Sequence, residues 1–357
     1  MFSTFSKVSL GKVLSYSPEY VYSVDRLSTS KLISSLSDRS IKIFDLNSGS
    51  SVVELLTIKH THDGNVEGVQ IVDENSALTA GSDGVVKLWD FRTNKSTALF
   101  SKDDSDQPLL SLAYSSLTNE IAAGTELVAP DAGVIVWDIR KPNTHLRAYL
   151  DSHSDDVTSV AFHSSIRNLL LSGSTDGLVV KYDTTISDED DAVMQVVNNG
   201  ASIHSAGFLG DNMYALSHME TFSIYRPTNK HDETEEEDIN NQPILFGDIR
   251  EPWDCEYVVG VGKGYIAIGS NSSEKLSLIA LRGETVSVKE RIVLPGAHGE
   301  EVARAVLVDE RNARIFSGGE DGKLKVWIAD GNDHQQHWSE VKPDRKKKVK
   351  DKRFRPY

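Results

Sequence analysis

AGSDGVVKLWD at Ala80–Asp90, SGSTDGLVVKYD at Ser172–Asp183 and SGGEDGKLKVW at Ser317–Trp327 are one phrase written three times. Small residues precede an Asp-Gly pair in each copy, and an apolar run carrying an aromatic follows it. Gly tolerates positive φ and Asp bonds the neighbouring backbone, so the pair makes a tight turn and its flanks become antiparallel strands. A histidine precedes each copy by about the same distance: His62, His153 and His298. Between His153 and its hairpin, the β-branched VTSVAFH of Val157–His163 reads as a further strand, and KSTALF at Lys95–Phe100 reads as one following a hairpin. A four-strand unit recurring about every 40–45 residues is a propeller blade.

The period places the weaker copies. SSLSDRSIKIFD (Ser34–Asp45) is the hairpin of a first blade, and GVIVWDIR (Gly133–Arg140) closes a third whose Asp-Gly turn gives way to the longer GTELVAPDAG. ALSHMETFSIY (Ala215–Tyr225) and AIGSNSSEKLSLI (Ala267–Ile279) belong to a fifth and a sixth. The fold class is therefore all-β, a seven-bladed propeller over residues 1–341 followed by a basic flexible tail, 342–357.

These phrases resemble the WD40-repeat family along nearly the whole chain up to Val341. The resemblance implies that the ring closes when the N-terminal strand, Val8–Leu14, joins the last blade. It also implies buried hydrogen-bonded sets: His62, Thr79, Asp83 and Trp89; His153, Ser172 and Asp176, with Tyr182 in place of Trp; and His298, Ser317, Asp321 and Trp327. DSHSDDVTSVAFH with SGSTDGLVVKYD, then ALSHMETFSIY, PGAHGEEVAR, SGGEDGKLKVW and a basic tail look like the WD repeat-containing protein 89 family. That likeness implies architecture and brings no chemistry with it.

Composition points to an intracellular protein. Cys255 is the single cysteine, so no internal disulfide forms, and MFSTFSKVSL lacks the apolar core of a signal peptide. No run approaches the ~18 apolar residues of a membrane span. GVGKG at Gly260–Gly264 lacks phosphate-loop spacing and reads as a turn, HQQH at His334–His337 has no further ligand beside it, and no nucleophile elbow occurs. No enzyme, metal or cofactor is expected.

Charge is segregated by sign. The tail KPDRKKKVKDKRFRPY holds nine Lys or Arg against two Asp, whereas the whole chain carries −15. Two acidic inserts, Asp188–Asp191 and Asp232–Asp238, are too charged to fold alone and read as solvated loops. The turns after the repeated histidines add Asp63, Asp155, Asp156, Glu300 and Glu301, which symmetry puts on one face of the ring. An acidic face attracts a basic protein partner over long range.

Two further signals concern partners. Lys346, Lys347, Lys348 and Lys350 form a basic cluster that an import receptor would read, which places the protein in the nucleus with the cytoplasm as its second compartment. Phe354, the tail's one aromatic before the terminus, gives little capacity for base stacking and weighs against nucleic acid. Trp89-Asp90-Phe91-Arg92 recurs one blade on as Trp137-Asp138-Ile139-Arg140, a pattern that resembles substrate receptors of cullin-4 ubiquitin ligases and implies adaptor contacts for Arg92 and Arg140. The bland alternative is an Arg covering the blade's outer surface. The leading expectation is a non-catalytic nuclear scaffold docking a basic protein; a ligase receptor comes second and a ribosome-assembly factor third.

Overall fold

A computed structural model describes residues 1–48, 51–102, 107–142, 144–228 and 242–329. Among them the strands form seven four-stranded antiparallel sheets. The first strands are Val21–Arg26, Val66–Asp73, Leu109–Ser115, Ser159–Phe162, Ile203–Leu209, Tyr257–Gly262 and Ala303–Asp309. Each touches the first strand of a neighbouring blade, so these seven line the axis and the fourth strands lie at the rim.

The central strands read as apolar runs because blades bury both faces against each other. Every residue of Glu120–Thr125 and Ala132–Asp138 in blade three is buried. The core lies between blades: Val21, Leu32 and Phe44 of blade one pack with Phe316, Leu324 and Val326 of blade seven. Leu216, Phe222 and Ile224 of blade five likewise meet Ile266, Ile268 and Ile279 of blade six.

The ring closes as the sequence led one to expect. Val8–Ser15 pairs antiparallel with Lys323–Ala329, from Val8 opposite Ala329 to Ser15 opposite Lys323, with one irregularity between Leu10 and Lys12. The three Asp-Gly turns are also as read: Gly84, Gly177 and Gly322 have φ of 77°, 86° and 68°. Their N–H groups donate three residues back, at 3.1, 3.0 and 3.2 Å.

Two readings need correction. The strand expected over Val157–His163 narrows to Ser159–Phe162, because the Val157 N–H donates to Thr125 O of the neighbouring blade at 2.9 Å. At its other end His163 Nδ1 accepts from Ile166 N at 2.8 Å and bends the chain. The Asp188–Asp191 insert is solvated at Asp188, Asp190 and Asp191 but is not a plain loop: Asp188 caps a short helix, Glu189–Ala192. Glu189 reaches back to accept from the N–H groups of Leu150 at 2.6 Å and Ser152 at 2.7 Å, donors on a rim strand. Counting charge misses this, because an acid beside unpaired N–H groups is a fastener. The Asp232–Asp238 insert, the tail and the boundary expected at Val341 lie outside the described residues.

Candidate protein-docking face

In each blade the turn between strands two and three sits at the same end as the loop that enters the blade, and a polar contact joins them. In blade two, His62 Nδ1 lies 2.8 Å from Asp83 Oδ1 and Nε2 lies 2.7 Å from Thr79 Oγ1, which accepts the Trp89 indole N–H at 2.9 Å. Blade seven repeats this with His298–Asp321 at 2.7 Å, His298–Ser317 at 2.9 Å and Trp327–Ser317 at 3.0 Å. Blade four has His153–Asp176 at 3.1 Å and His153–Ser172 at 2.7 Å, with the Tyr182 hydroxyl 3.2 Å from Ser172 Oγ. In the two tryptophan blades one proton assignment accounts for every contact of the set, with Asp321 Oδ2 left without a hydrogen bond. The indole donates to the Thr or Ser oxygen, that hydroxyl donates to Nε2, and Nδ1–H donates to the carboxylate.

Electrostatics agree with a neutral imidazole in blade two. Burial depresses the His62 pKa and outweighs the pull of Asp83. Burial opposes ionisation of Asp83, yet the Asp63 N–H and His62 hold its carboxyl below the usual range. His153 with the Ser154 N–H does the same for Asp176, and His298 for Asp321, again against burial. Space is equally strict: a Cβ on Gly81 would lie 2.3 Å from the His62 ring. These groups are spent on one another and fasten loop to turn.

The other four blades carry the same fastening in different chemistry, which the sequence did not disclose. Ser37 donates to Glu19 at 2.7 Å in blade one, and Gln107 Nε2 donates to Thr125 Oγ1 at 3.1 Å in blade three. Ser202 Oγ lies 3.1 Å from His218 Nδ1 in blade five. Glu256 accepts from the Asn271 N–H at 2.8 Å in blade six. The one signal available was a polar residue in each entering loop.

The acids beside the histidines share this end of the ring. Asp63, Glu300 and Glu301 are exposed and Asp155 is half-buried. None of these four joins an ion pair among the described residues. Asp156 joins no ion pair either, but its carboxylate is tied to the neighbouring blade, accepting from the Leu127 N–H of blade three at 2.7 Å, whereas Asp155 accepts only from the adjacent Asp156 N–H at 2.9 Å.

The two arginines sit at the opposite end, past the third strands Val85–Asp90 and Ala132–Asp138. They do not spread over the blade's outer surface. Arg92 folds back on Asp90 through Nε at 3.0 Å and Nη2 at 2.8 Å, and Arg140 grips Asp138 at 2.7 Å through both. The Arg92 guanidinium holds the Asp90 carboxyl down to about 2. Both side chains stay 71% and 67% exposed, in matching poses. Lys346, Lys347, Lys348, Lys350 and the HQQH segment lie outside the described residues.

A cavity of about 250 Å³ opens on the axis, lined among others by Tyr22, Asp25, Gly260, Tyr265 and Arg304. Burial pushes the Asp25 carboxyl up. GVGKG forms the wall of this cavity and then a turn, with Gly264 at φ 82°. Burial pushes the Cys255 thiol up to about 12, so it stays protonated and poorly nucleophilic. Among the described residues no group of three His, Cys, Asp or Glu could hold a metal, and no helix is long and apolar enough to cross a membrane.

Comparison with known proteins fits this architecture. The family model for the WD domain, G-beta repeat, matches residues 53–90 and 144–183, each running from the rim strand of one blade, one or three, through the third strand of the next, two or four. An uncharacterized WD repeat-containing protein of Saccharomyces cerevisiae is 40% identical over 301 residues, covering 83% of this chain and 75% of the relative. Another from Schizosaccharomyces pombe is 31% identical over 321 residues, covering 86% and 95%. The WD repeat-containing protein 89 homolog of Dictyostelium discoideum is 25% identical over 307 residues, covering 80% and 77%. With seven closed blades and relatives at this identity over most of both lengths, the chain belongs to the WD40-repeat β-propeller family.

Proposed function

We propose that the protein is a non-catalytic scaffold that docks a basic protein segment on the face carrying Asp63, Asp155, Glu300 and Glu301. The observation that carries this reading is four carboxylates on entering loops of three blades, all at one end and none in an ion pair among the described residues. Unpaired acids on a rigid frame hold a standing negative potential, which speeds encounter with a cationic partner and selects against an acidic one. Reversing all four to Lys is expected to abolish capture of the dominant partner. Raising salt should weaken that capture in the unaltered protein, since exposed charges are screened over about 8–10 Å.

A second reading, a receptor of a cullin-4-type ligase, is favoured by the matched and exposed guanidiniums of Arg92 and Arg140. It makes the opposite forecast in the same experiment. Arg92→Ala with Arg140→Ala would then release an adaptor while the four reversals spare it. Loss of the dominant partner through the arginine pair alone would reject the docking reading.

The basic cluster Lys346, Lys347, Lys348 and Lys350 supports nuclear import as part of the proposal. Changing all four to Ala should move a fluorescent fusion toward the cytoplasm. A distribution that the change leaves untouched would refute the signal.

A further inference from the structure

Blade three departs from the others between its second and third strands, where Glu126–Asp131 stands in place of an Asp-Gly turn. Leu127 and Val128, at its tip, are 37% and 52% exposed on the docking face. The excursion is nevertheless held firmly. Val128 and Asp131 exchange backbone hydrogen bonds at 3.1 and 3.0 Å. Gln107 Nε2 donates to the carbonyls of Glu126 and Asp131, both at 2.9 Å, and Asp156 accepts from the Leu127 N–H at 2.7 Å. Apolar side chains presented by an ordered tip lose little further entropy when a partner covers them, and covering them removes apolar surface from water.

Charge beside the tip selects what covers it. Glu126 belongs to the tip itself and is exposed, and Asp155 stands in the adjoining turn of blade four, next to the Asp156 that accepts from the Leu127 N–H. Neither Glu126 nor Asp155 joins an ion pair among the described residues. A cation beside them would relieve their like charge, whereas an acidic segment would add to it.

We infer that the Leu127–Val128 tip and the carboxylates of Glu126 and Asp155 form a two-part subsite for a protein segment that presents a lysine or arginine beside a large apolar side chain. The inference rests on the docking reading and narrows its partner from merely basic to basic and apolar. Basic residues alone would leave the tip wet, and apolar residues alone would leave the two carboxylates unrelieved.

Two short synthetic peptides of equal charge test it, one with Lys-Leu pairs and one with Lys-Ser pairs, titrated against the full chain by fluorescence anisotropy. The Lys-Leu peptide is expected to bind about tenfold tighter, about 1.4 kcal/mol, which covering one leucine side chain suffices to supply. Leu127→Ser with Val128→Ser should reduce it to the level of the Lys-Ser peptide with an unchanged melting temperature. Glu126→Gln with Asp155→Asn should weaken both peptides several-fold. Equal affinity of the two peptides for the unaltered protein overturns the subsite and leaves the acidic-face reading standing. Failure of both to bind overturns the acidic-face reading as well. A Lys-Leu affinity that rises about tenfold on removal of residues 342–357 would make the tail the occupant and overturn the proposal of an external segment.

Discussion

Phe5→Ala is expected to lower the unfolding free energy by about 3–5 kcal/mol, the usual loss for truncating a fully buried aromatic. Phe5 is 1% exposed. It packs in one cluster with Tyr265, Leu276, Leu278, Ile292 and Leu294 of blade six and with Ile315 and Trp327 of blade seven. The side chain thus plugs the seam between the last two blades just ahead of the closing strand. Removing it leaves a cavity bounded by two sheets that are pinned by their own ladders and cannot collapse into it. Urea unfolding should give a lower midpoint with little change in slope. A loss below about 1 kcal/mol would mean that the closing strand holds without its anchor, contrary to this account.

Trp137→Ala is expected to cost a similar 3–5 kcal/mol for a reason particular to blade three. Trp137 is fully buried among Leu78, Val86 and Phe100 of blade two and Ile121 and Ile135 of its own blade. By register Ala123 occupies the place that Thr79 holds in blade two, so the indole has no hydroxyl partner within its blade. Its N–H instead reaches Ser101 O on the rim strand of blade two, at 3.3 Å. Trp137→Phe keeps most of the apolar area and should lose only about 1–2 kcal/mol, the cost of a long hydrogen bond and a smaller ring. Arg92→Ala, exposed at the far end, serves as the control and should stay within about 0.5 kcal/mol. Equal losses for Trp137→Phe and Trp137→Ala would shift the weight from packing to the hydrogen bond.

What the sequence disclosed follows from what repeats in it. The three phrases made blades two, four and seven legible as hairpins, and the WD40 resemblance they carry implied the hydrogen-bonded sets, whose His, Asp and Ser or Thr each need the others when buried. Blades one, three, five and six perform the same fastening with Glu19–Ser37, Gln107–Thr125, Ser202–His218 and Glu256–Asn271. Backbone geometry there fixes a place for a polar contact without fixing the residue that makes it, so a reading by residue type sees only degraded copies. Phe5 was illegible for a different cause: MFSTFSK has no period, and nothing local says that Phe5 fills a seam while Phe2 packs only partly buried beside it. The bond of Asp156 to Leu127 was illegible because symmetry equates Asp156 with its counterparts, whereas the longer excursion of blade three gives it a neighbour they lack.

Biosynthesis delivers Val8–Ser15 near the start and its mate, Lys323–Ala329, after almost everything else. A growing chain can therefore stack blades one to six while its leading strand has no ladder to join. The apolar faces of Val21 and Phe44 wait all that time for Phe316 and Leu324. A chain cut just before Lys323 leaves both Val8–Ser15 and Arg314–Gly319 without the strand that joins them, and a bare strand edge is prone to pair with another chain. Nonsense mutations late in the reading frame should then behave almost as severely as early ones.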